Sequence, residues 1–299
     1  MSDNNLFIDA NIIYSLCNSL DNDIVKKAIN SRDIGLTKFN SKAQKERGVK
    51  SDLNFISDVA EVLNEIHKYV KSFDNICLPK LIRGQTLHQL ANIADLNKMF
   101  EQRLSEYLFL SYQGNKGYFQ NNLDENLKLC LPYKQIHSLV MGLFSETEDG
   151  CYYSDSSKAF EDYLKQVNEI FPIKKVGHAN DRGADEIFSA LVLDSAYQGH
   201  QSVAFSSDLG IHKAMHLSLA ALKPASQIAN NASLEALLNN MPSFARFNRE
   251  SLIFEQGIEF DESLSVKDTL ELYNIEYTNK EIGNLGVTTI YLLRTLGCY

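Results

Sequence analysis

Three aspartates in this sequence have the chemical type and the placement of a metal-binding or catalytic site. Asp9 directly follows an apolar run at residues 6–8, and Asp208 comes two serines after a short β-type run at residues 202–205. Asp185 opens a segment in which apolar residues recur at helical spacing. Because open α/β sheets bind ligands beyond the carboxyl ends of their strands, we expect these three carboxylates to converge on one crevice.

Carboxylates held close together require a cation. Like charges about 4 Å apart repel by about 4 kcal/mol at a surface-like effective dielectric constant, and a divalent ion removes this penalty. Oxygen ligands without a nearby Cys or His ligand pattern favour Mg²⁺ or Mn²⁺ over zinc. The sequence therefore predicts a site for Mg²⁺ or Mn²⁺ formed by Asp9, Asp185 and Asp208.

The elements that must position these acids are those of an α/β fold. Short apolar runs predict strands at residues 6–8, 76–79 and 202–205. Helical periodicity is found over residues 52–73 and from Asp185 to Gly199, a residue type that commonly ends a helix. These alternating segments predict a central parallel sheet that is flanked by helices.

The order of these segments resembles the PIN-domain nucleases. The opening strand and Asp-x-Asn turn of that family are similar to LFIDANIIYSL, its central acidic helix to ADEIFSALVL, and its final strand ending in Thr/Ser-x-Asp to VAFSSDLGIHKAM. The run RGADEIFSALVLD followed by SSD also resembles the NYN nucleases of the same PIN-like superfamily. The resemblance implies a three-layer, Rossmann-like domain with a central parallel sheet, and it covers roughly residues 1–15 and 177–226.

The same resemblance implies a divalent-metal-dependent nuclease that hydrolyses phosphodiester bonds, with RNA favoured over DNA. Its catalytic metal ligands would be Asp9, Asp185 and Asp208, with Asp181 as a candidate fourth acid. The metal would generate hydroxide from bound water and offset the charge that develops on the scissile phosphate. The groups that orient these carboxylates or contact phosphate would be Asn11, Gln85, Ser206 and Ser207.

Gln85 is the position at which this sequence departs from the family. PIN domains place a glutamate six residues beyond the proline that ends the second strand, and Pro79 puts Gln85 at that place. A neutral amide supplies no negative charge, so metal affinity should fall. Either Asp181 or Glu186 substitutes, or the chain is a catalytically weakened PIN-like module that binds nucleic acid or a regulatory protein partner.

Two further interpretations fit parts of the sequence. Aspartate is a favoured helix N-cap, worth about 1 kcal/mol, and each of the three acids precedes a predicted helix. Capping does not explain why two of them follow apolar strands. A small-molecule enzyme on a Rossmann-like fold is disfavoured, because no GxGxxG or GxxxxGK[ST] loop follows any predicted strand.

A basic stretch precedes the helix that is predicted over residues 52–73. Its cations include Lys38, Lys42, Lys45 and Arg47. The composition also fits a solvated loop. As a phosphate-contacting loop it would supply positive charge to a chain whose net charge is −9, so we expect these four residues to contact nucleic acid.

Length and composition indicate an ordinary globular protein. The chain has 299 residues, 44% of them hydrophobic, and five scattered cysteines without metal-ligand spacing. We expect a PIN-like α/β domain over residues 1–226, a helical insertion at about 95–175, and a small, mainly helical C-terminal region over 227–299. No long apolar run or charged-then-apolar leader is found, so a cytoplasmic location without a membrane span is expected.

Overall fold

The computed structural model describes residues 3–20, 52–79, 138, 153–173, 183–226, 229, 231–248 and 251–298. Several predicted site residues lie outside these ranges, namely Lys38, Lys42, Lys45, Arg47, Gln85 and Asp181. Most of the proposed insertion at about 95–175 also lies outside them.

A five-stranded sheet forms the centre of the described fold. Its strands are β1 (Asn4–Ile8), β2 (Asn75–Cys77), β3 (Gln201–Phe205), β4 (Ser243–Asn248) and β5 (Ile253–Ile258). The order across the sheet is β2-β1-β3-β4-β5, in which the first four are parallel and β5 runs antiparallel to β4. The predicted α/β fold with a mainly parallel sheet is confirmed.

Strands β1 and β3 are apolar because they lie in the middle of the sheet. Leu6 and Ile8 in β1, and Ala204 and Phe205 in β3, are all at most 1% exposed. Central parallel strands are covered on both faces, which explains why these runs are continuously hydrophobic and do not alternate with polar residues.

Eight helices accompany the sheet in the described ranges. They are α1 (Ala10–Leu20), α2 (Asp52–Val70), α3 (Asp155–Ile170), α4 (Ala184–Tyr197), α5 (Leu209–Ser226), α6 (Ala232–Asn239), α7 (Val266–Leu272) and α8 (Asn279–Thr295). The connection from β1 to β2 and the connection from β3 to β4 run in opposite directions across the sheet. Since parallel crossovers are right-handed, α1 and α2 are expected on one face and α5 on the other.

The C-terminal region contributes strands as well as helices. The segment FARFNRESLIF, which hydrophobic periodicity did not identify as β structure, contains parts of β4 and β5 and completes the sheet. A register shift interrupts the pairing of these two strands between Phe244 and Arg246, and Gly257 of β5 has φ +66°. The domain boundary at residue 226 stays a prediction.

Asp194 on α4 fixes the start of α3. Its carboxylate is 3% exposed and accepts hydrogen bonds from the side chains of Ser154 (2.7 Å), Ser156 (2.5 Å), Ser157 (2.5 Å) and Gln198 (3.2 Å). Ser154 is also the N-cap of α3 and forms a capping box with Ser157. A buried charge is tolerated when hydrogen-bond donors surround it, so this cluster joins the first turn of α3 to the last turn of α4.

Replacing Asp194 with Ala should therefore destabilise the protein by about 3 kcal/mol, because the hydroxyl donors around it lose a charged acceptor. Urea denaturation measures this loss as a lower unfolding midpoint. Asp162→Ala is the matched control on α3, because the Asp162 side chain is 52% exposed and forms only a surface ion pair with Lys158. Equal stability of the two variants would contradict the role of Asp194.

Candidate functional site

Asp9 and Asp208 leave neighbouring strands at the same edge of the sheet. Ile8 at the end of β1 pairs with Phe205 at the end of β3, and the Asp9 N–H donates to the Phe205 carbonyl at 3.0 Å. Between these two strands the chain reverses its direction across the sheet, because β2 lies beyond β1 and β4 lies beyond β3. Open α/β sheets have their ligand crevice at such a switch point.

Ser206 connects the two acids. Its hydroxyl donates to Asp9 Oδ2 at 2.8 Å and accepts from the Asp208 N–H at 3.0 Å. It also accepts from Asn11 Nδ2 at 3.2 Å. A hydroxyl has one donor and two acceptor positions, so Ser206 uses all its hydrogen-bonding capacity on Asp9, Asn11 and Asp208. We call this group of residues, at the ends of β1 and β3, the corner.

Asn11 and Ser207 extend the same network to α1 and β4. Asn11 Oδ1 accepts from the Ser207 N–H at 3.1 Å, and Ser207 Oγ donates to the Phe247 carbonyl at 2.5 Å. The structure thus brings Asn11, Ser206 and Ser207 together with Asp9 and Asp208. All five are residues that the sequence analysis selected.

The charged form of Asp9 is disfavoured by its surroundings. The side chain is 4% exposed, and burial raises its pKa from 3.8 to about 6. The hydrogen bond from Ser206 and the N–H groups of Ala10 and Asn11 lower the pKa, whereas the negative charge of Asp208 raises it. A positive charge placed beside Asp9 would therefore be favoured.

Both acids also cap helices, as the alternative interpretation expected. Asp9 accepts hydrogen bonds from backbone N–H groups in the first turn of α1, and Asp208 Oδ1 accepts from the Gly210 N–H at 2.6 Å in the first turn of α5. Capping does not exclude ligand binding, because a carboxylate has two oxygens and about four acceptor positions.

Asp185 lies in the first turn of α4 and is half-buried. Helix α4 ends at Tyr197 and β3 begins at Gln201, so the N-terminal end of α4 points toward the carboxyl edge of the sheet. The next residue, Glu186, is buried, and its Oε1 accepts from Asn168 Nδ2 at 2.7 Å. Its Oε2 has no hydrogen-bond partner within the described part of the chain. Glu186 is one of the two acids, with Asp181, that were predicted as possible substitutes for the missing glutamate.

Within the described ranges, no three His, Cys, Asp or Glu side chains form a group that could hold a metal ion. The structure brings Asp9 and Asp208 together, but Asp185 does not complete a three-ligand group with them. The remaining predicted contributors, Asp181 and Gln85, lie outside the described residues.

A pocket of about 80 Å³ opens beside Asp208, and its walls include Ser207, Phe244, His212 and Arg246. Neither His212 nor Arg246 was predicted as a site residue from the sequence. The four-residue spacing from Asp208 to His212 could have predicted that the two side chains lie close together, because residues four apart share one face of a helix. No spacing of this kind indicated Arg246, because strand β4 was not predicted from the sequence.

Comparisons of the chain with family models, curated proteins and solved structures find no match. The resemblance to PIN nucleases therefore stays a prediction from the sequence motifs. In the part of the chain that the structure describes, no helix has the length and hydrophobicity to cross a membrane.

Asp9→Asn tests the electrostatic penalty through the pH dependence of stability. The native state has the higher pKa, about 6 against 3.8, so it binds more protons than the unfolded state between these values. The free energy of unfolding of the wild type should therefore fall by up to about 3 kcal/mol as the pH rises through this window. The neutral variant should lose this decrease and be the more stable protein at about pH 7.5.

Urea denaturation across this pH range measures the effect. The control is Asp155→Asn, which replaces an exposed acid in the first turn of α3. This turn contacts the last turn of α4, near the start of β3, whereas Asp9 and Asp208 lie at the strands' carboxyl ends. If Asp9→Asn is no more stable than the wild type at about pH 7.5, the assigned penalty is wrong.

Ser206→Ala should raise the pKa of Asp9 still further, because the serine hydroxyl donates to the charged carboxylate. Carboxyl ¹³C chemical shifts followed by NMR during a pH titration report this value directly. Ser202→Ala is the control, because Ser202 in β3 is also buried but donates to Ser195 Oγ at 2.8 Å. An unchanged Asp9 titration in Ser206→Ala would refute the role of the serine.

Proposed function

We propose that this chain is a divalent-metal-dependent nuclease of the PIN-like type that hydrolyses phosphodiester bonds of RNA on a three-layer, Rossmann-like domain. The observation that carries the proposal is the convergence of Asp9 and Asp208 at the carboxyl ends of two neighbouring parallel strands. One serine hydroxyl contacts both residues and so couples their positions.

The residues at this corner fit a hard divalent cation by type. The side-chain groups offered by Asp9, Asp208, Asn11, Ser206 and Ser207 include several oxygens and no sulfur, which suits Mg²⁺ or Mn²⁺. The described corner supplies two carboxylates. Asp185, at the N-terminal end of α4, and Asp181 just before that helix are the proposed further acids.

When bound at this corner, a divalent ion would supply an activated water and would offset charge on the phosphate. Asp9 and Asp208 would hold the ion by charge. Ser206 donates to the Asp9 carboxylate and accepts from the Asp208 backbone N–H, while Asn11 donates to Ser206, so this network orients Asp9 and positions the Asp208 backbone. Burial of Asp9 excludes water from one side of the site, which strengthens the electrostatic interactions there. The proposed backbone contacts are Lys38, Lys42, Lys45 and Arg47.

A second candidate is a catalytically weakened PIN-like module that binds nucleic acid or a protein partner. It is favoured by the neutral Gln85 and by the two-carboxylate corner, since the described residues hold no three-ligand group. Such a module would bind divalent ions weakly and would cleave no RNA.

Calorimetric titration with Mn²⁺ and cleavage of a labelled single-stranded RNA, measured on the same samples, test the proposal. Asp208→Asn should weaken Mn²⁺ binding more than about 100-fold and abolish cleavage, because even groups that only orient a ligand are worth 10–100-fold. Asp155→Asn is the control, because it removes an equal charge at the opposite edge of the sheet.

The outcomes separate the two candidates. Loss of both binding and cleavage in Asp208→Asn alone supports the nuclease. Wild-type protein that neither binds Mn²⁺ tightly nor cleaves RNA supports the weakened module. Wild-type cleavage rates in Asp208→Asn would refute the assigned site.

A further inference from the structure

A hydrogen-bonded row of side chains runs behind the pocket beside Asp208. His216 Nε2 lies 3.3 Å from the Asp261 carbonyl oxygen, and His216 Nδ1 lies 2.8 Å from the Tyr273 hydroxyl. The same hydroxyl lies 3.0 Å from His212 Nδ1. The row therefore begins at a backbone carbonyl and ends at a histidine in the pocket wall.

The direction of every hydrogen bond in this row is determined by the carbonyl at its start. A carbonyl oxygen only accepts, so His216 Nε2 carries the proton and His216 Nδ1 has the lone pair. The Tyr273 hydroxyl must then donate to His216, and its oxygen accepts from His212 Nδ1. His212 Nε2 is thereby left as an unprotonated acceptor.

Both rings pack against Phe260, and burial among aromatic side chains favours the neutral rings that this assignment requires. Burial lowers the pKa of His212 to about 4, and the nearby His216 and Arg246 lower it as well. Burial also lowers the pKa of His216, partly opposed by the Asp261 carbonyl and the Asp261 charge.

The acceptor His212 Nε2 is buried and has no hydrogen-bond partner among the residues that the structure describes. The ring stacks on Phe260 with centroids 5.0 Å apart and meets Phe244 edge-on at 4.8 Å. Aromatic contacts of this kind hold the ring in place, so it is poorly able to turn toward another donor. Tyr273 occupies Nδ1 and is not part of the pocket wall, so Nε2 is the ring nitrogen whose hydrogen bond is left for a ligand to satisfy.

The pocket also contains a cation and has a defined size. Arg246 of β4 is half-buried in its wall, with Phe244 and Ile258 as apolar neighbours. A volume of about 80 Å³ corresponds to a few water molecules, which is too small for a nucleobase but admits the hydroxyl edge of a sugar. The unpaired acceptor and the cation fit a ligand with a small hydroxyl donor next to an anion, and a ribose with its adjoining phosphate supplies both.

We propose that this pocket is a ribose-recognition subsite in which His212 Nε2 accepts a hydrogen bond from a 2′-hydroxyl and Arg246 binds the adjoining phosphate. The inference rests on the proposed function in taking RNA as the ligand. DNA has no 2′-hydroxyl and would leave the buried acceptor unpaired, so the subsite selects RNA. Tyr273 and His216 are positioning residues that keep the proton off Nε2.

Fluorescence anisotropy with RNA and DNA oligonucleotides of the same sequence, in EDTA, tests the subsite without cleavage. The wild type should prefer RNA by roughly tenfold, which corresponds to one good hydrogen bond. His212→Phe keeps an aromatic ring between Phe260 and Phe244 but removes the acceptor, so its RNA affinity should fall to the DNA level. His200→Gln is the control, because His200 lies at the opposite edge of the sheet, just before β3.

Two further variants divide the roles. Arg246→Gln should weaken RNA and DNA equally and reduce the salt dependence by about one phosphate contact. Tyr273→Phe leaves His212 in place but removes the hydroxyl that fixes its tautomer, so this variant should lose part of the RNA preference. Long-range ¹H–¹⁵N NMR spectra should show His212 protonated at Nδ1 in the wild type, and the Nε2 signal should move on addition of RNA but not DNA.

Equal binding of RNA and DNA by the wild type, a protonated His212 Nε2, or an unchanged preference in His212→Phe would each overturn the subsite. If His212→Phe fails to fold, Tyr273→Phe and the NMR spectra decide. The two proposals fail in different ways. If the protein prefers RNA in EDTA but never cleaves it, the subsite proposal is supported and the nuclease proposal is refuted. If the protein shows metal-dependent cleavage but no preference for RNA, the nuclease proposal is supported and the subsite proposal is refuted.

Discussion

The register between β1 and β3 is the constraint on which the candidate site depends. Because Ile8 pairs with Phe205, the chain leaves both strands at the same level and places Asp9 beside Ser206. A shift of one residue would turn every side chain of a strand to the other face of the sheet. The buried apolar side chains of β1 and β3 oppose such a shift, so the hydrophobic core that stabilises the sheet also aligns the two acids.

The arrangement of Asp9 and Asp208 at this corner lowers the stability of the folded protein. Asp9 is buried near a second carboxylate, and three hydrogen-bond donors reduce the penalty without removing it. Strained or destabilised groups of this kind are characteristic of functional sites, since activity and maximal stability make different demands on the same residues. The Asp194 cluster at the other end of α4 is the contrasting case, because hydrogen-bond donors surround its carboxylate.

Local pattern was enough to predict the residues of this corner but not its surroundings. Asp9 and Asp208 were recognisable because each follows a short apolar run, which is a signal confined to a few neighbouring residues. The hydrogen bond between His212 and Tyr273 joins residues 61 positions apart, so no local spacing indicates it. Arg246 was missed because β4 alternates apolar and polar residues only briefly, and its pairing with β3 becomes evident only in the folded chain.

The interrupted pairing of β5 has a consequence for how this protein meets other chains. β5 lies at one end of the described sheet, where Gly257 adopts a left-handed backbone conformation beside the register shift. An irregular outer strand does not present the even ladder of N–H and C=O groups that another strand needs in order to add to a sheet. Association along this edge is therefore disfavoured, and a partner that docks there must recognise side chains and not the main chain.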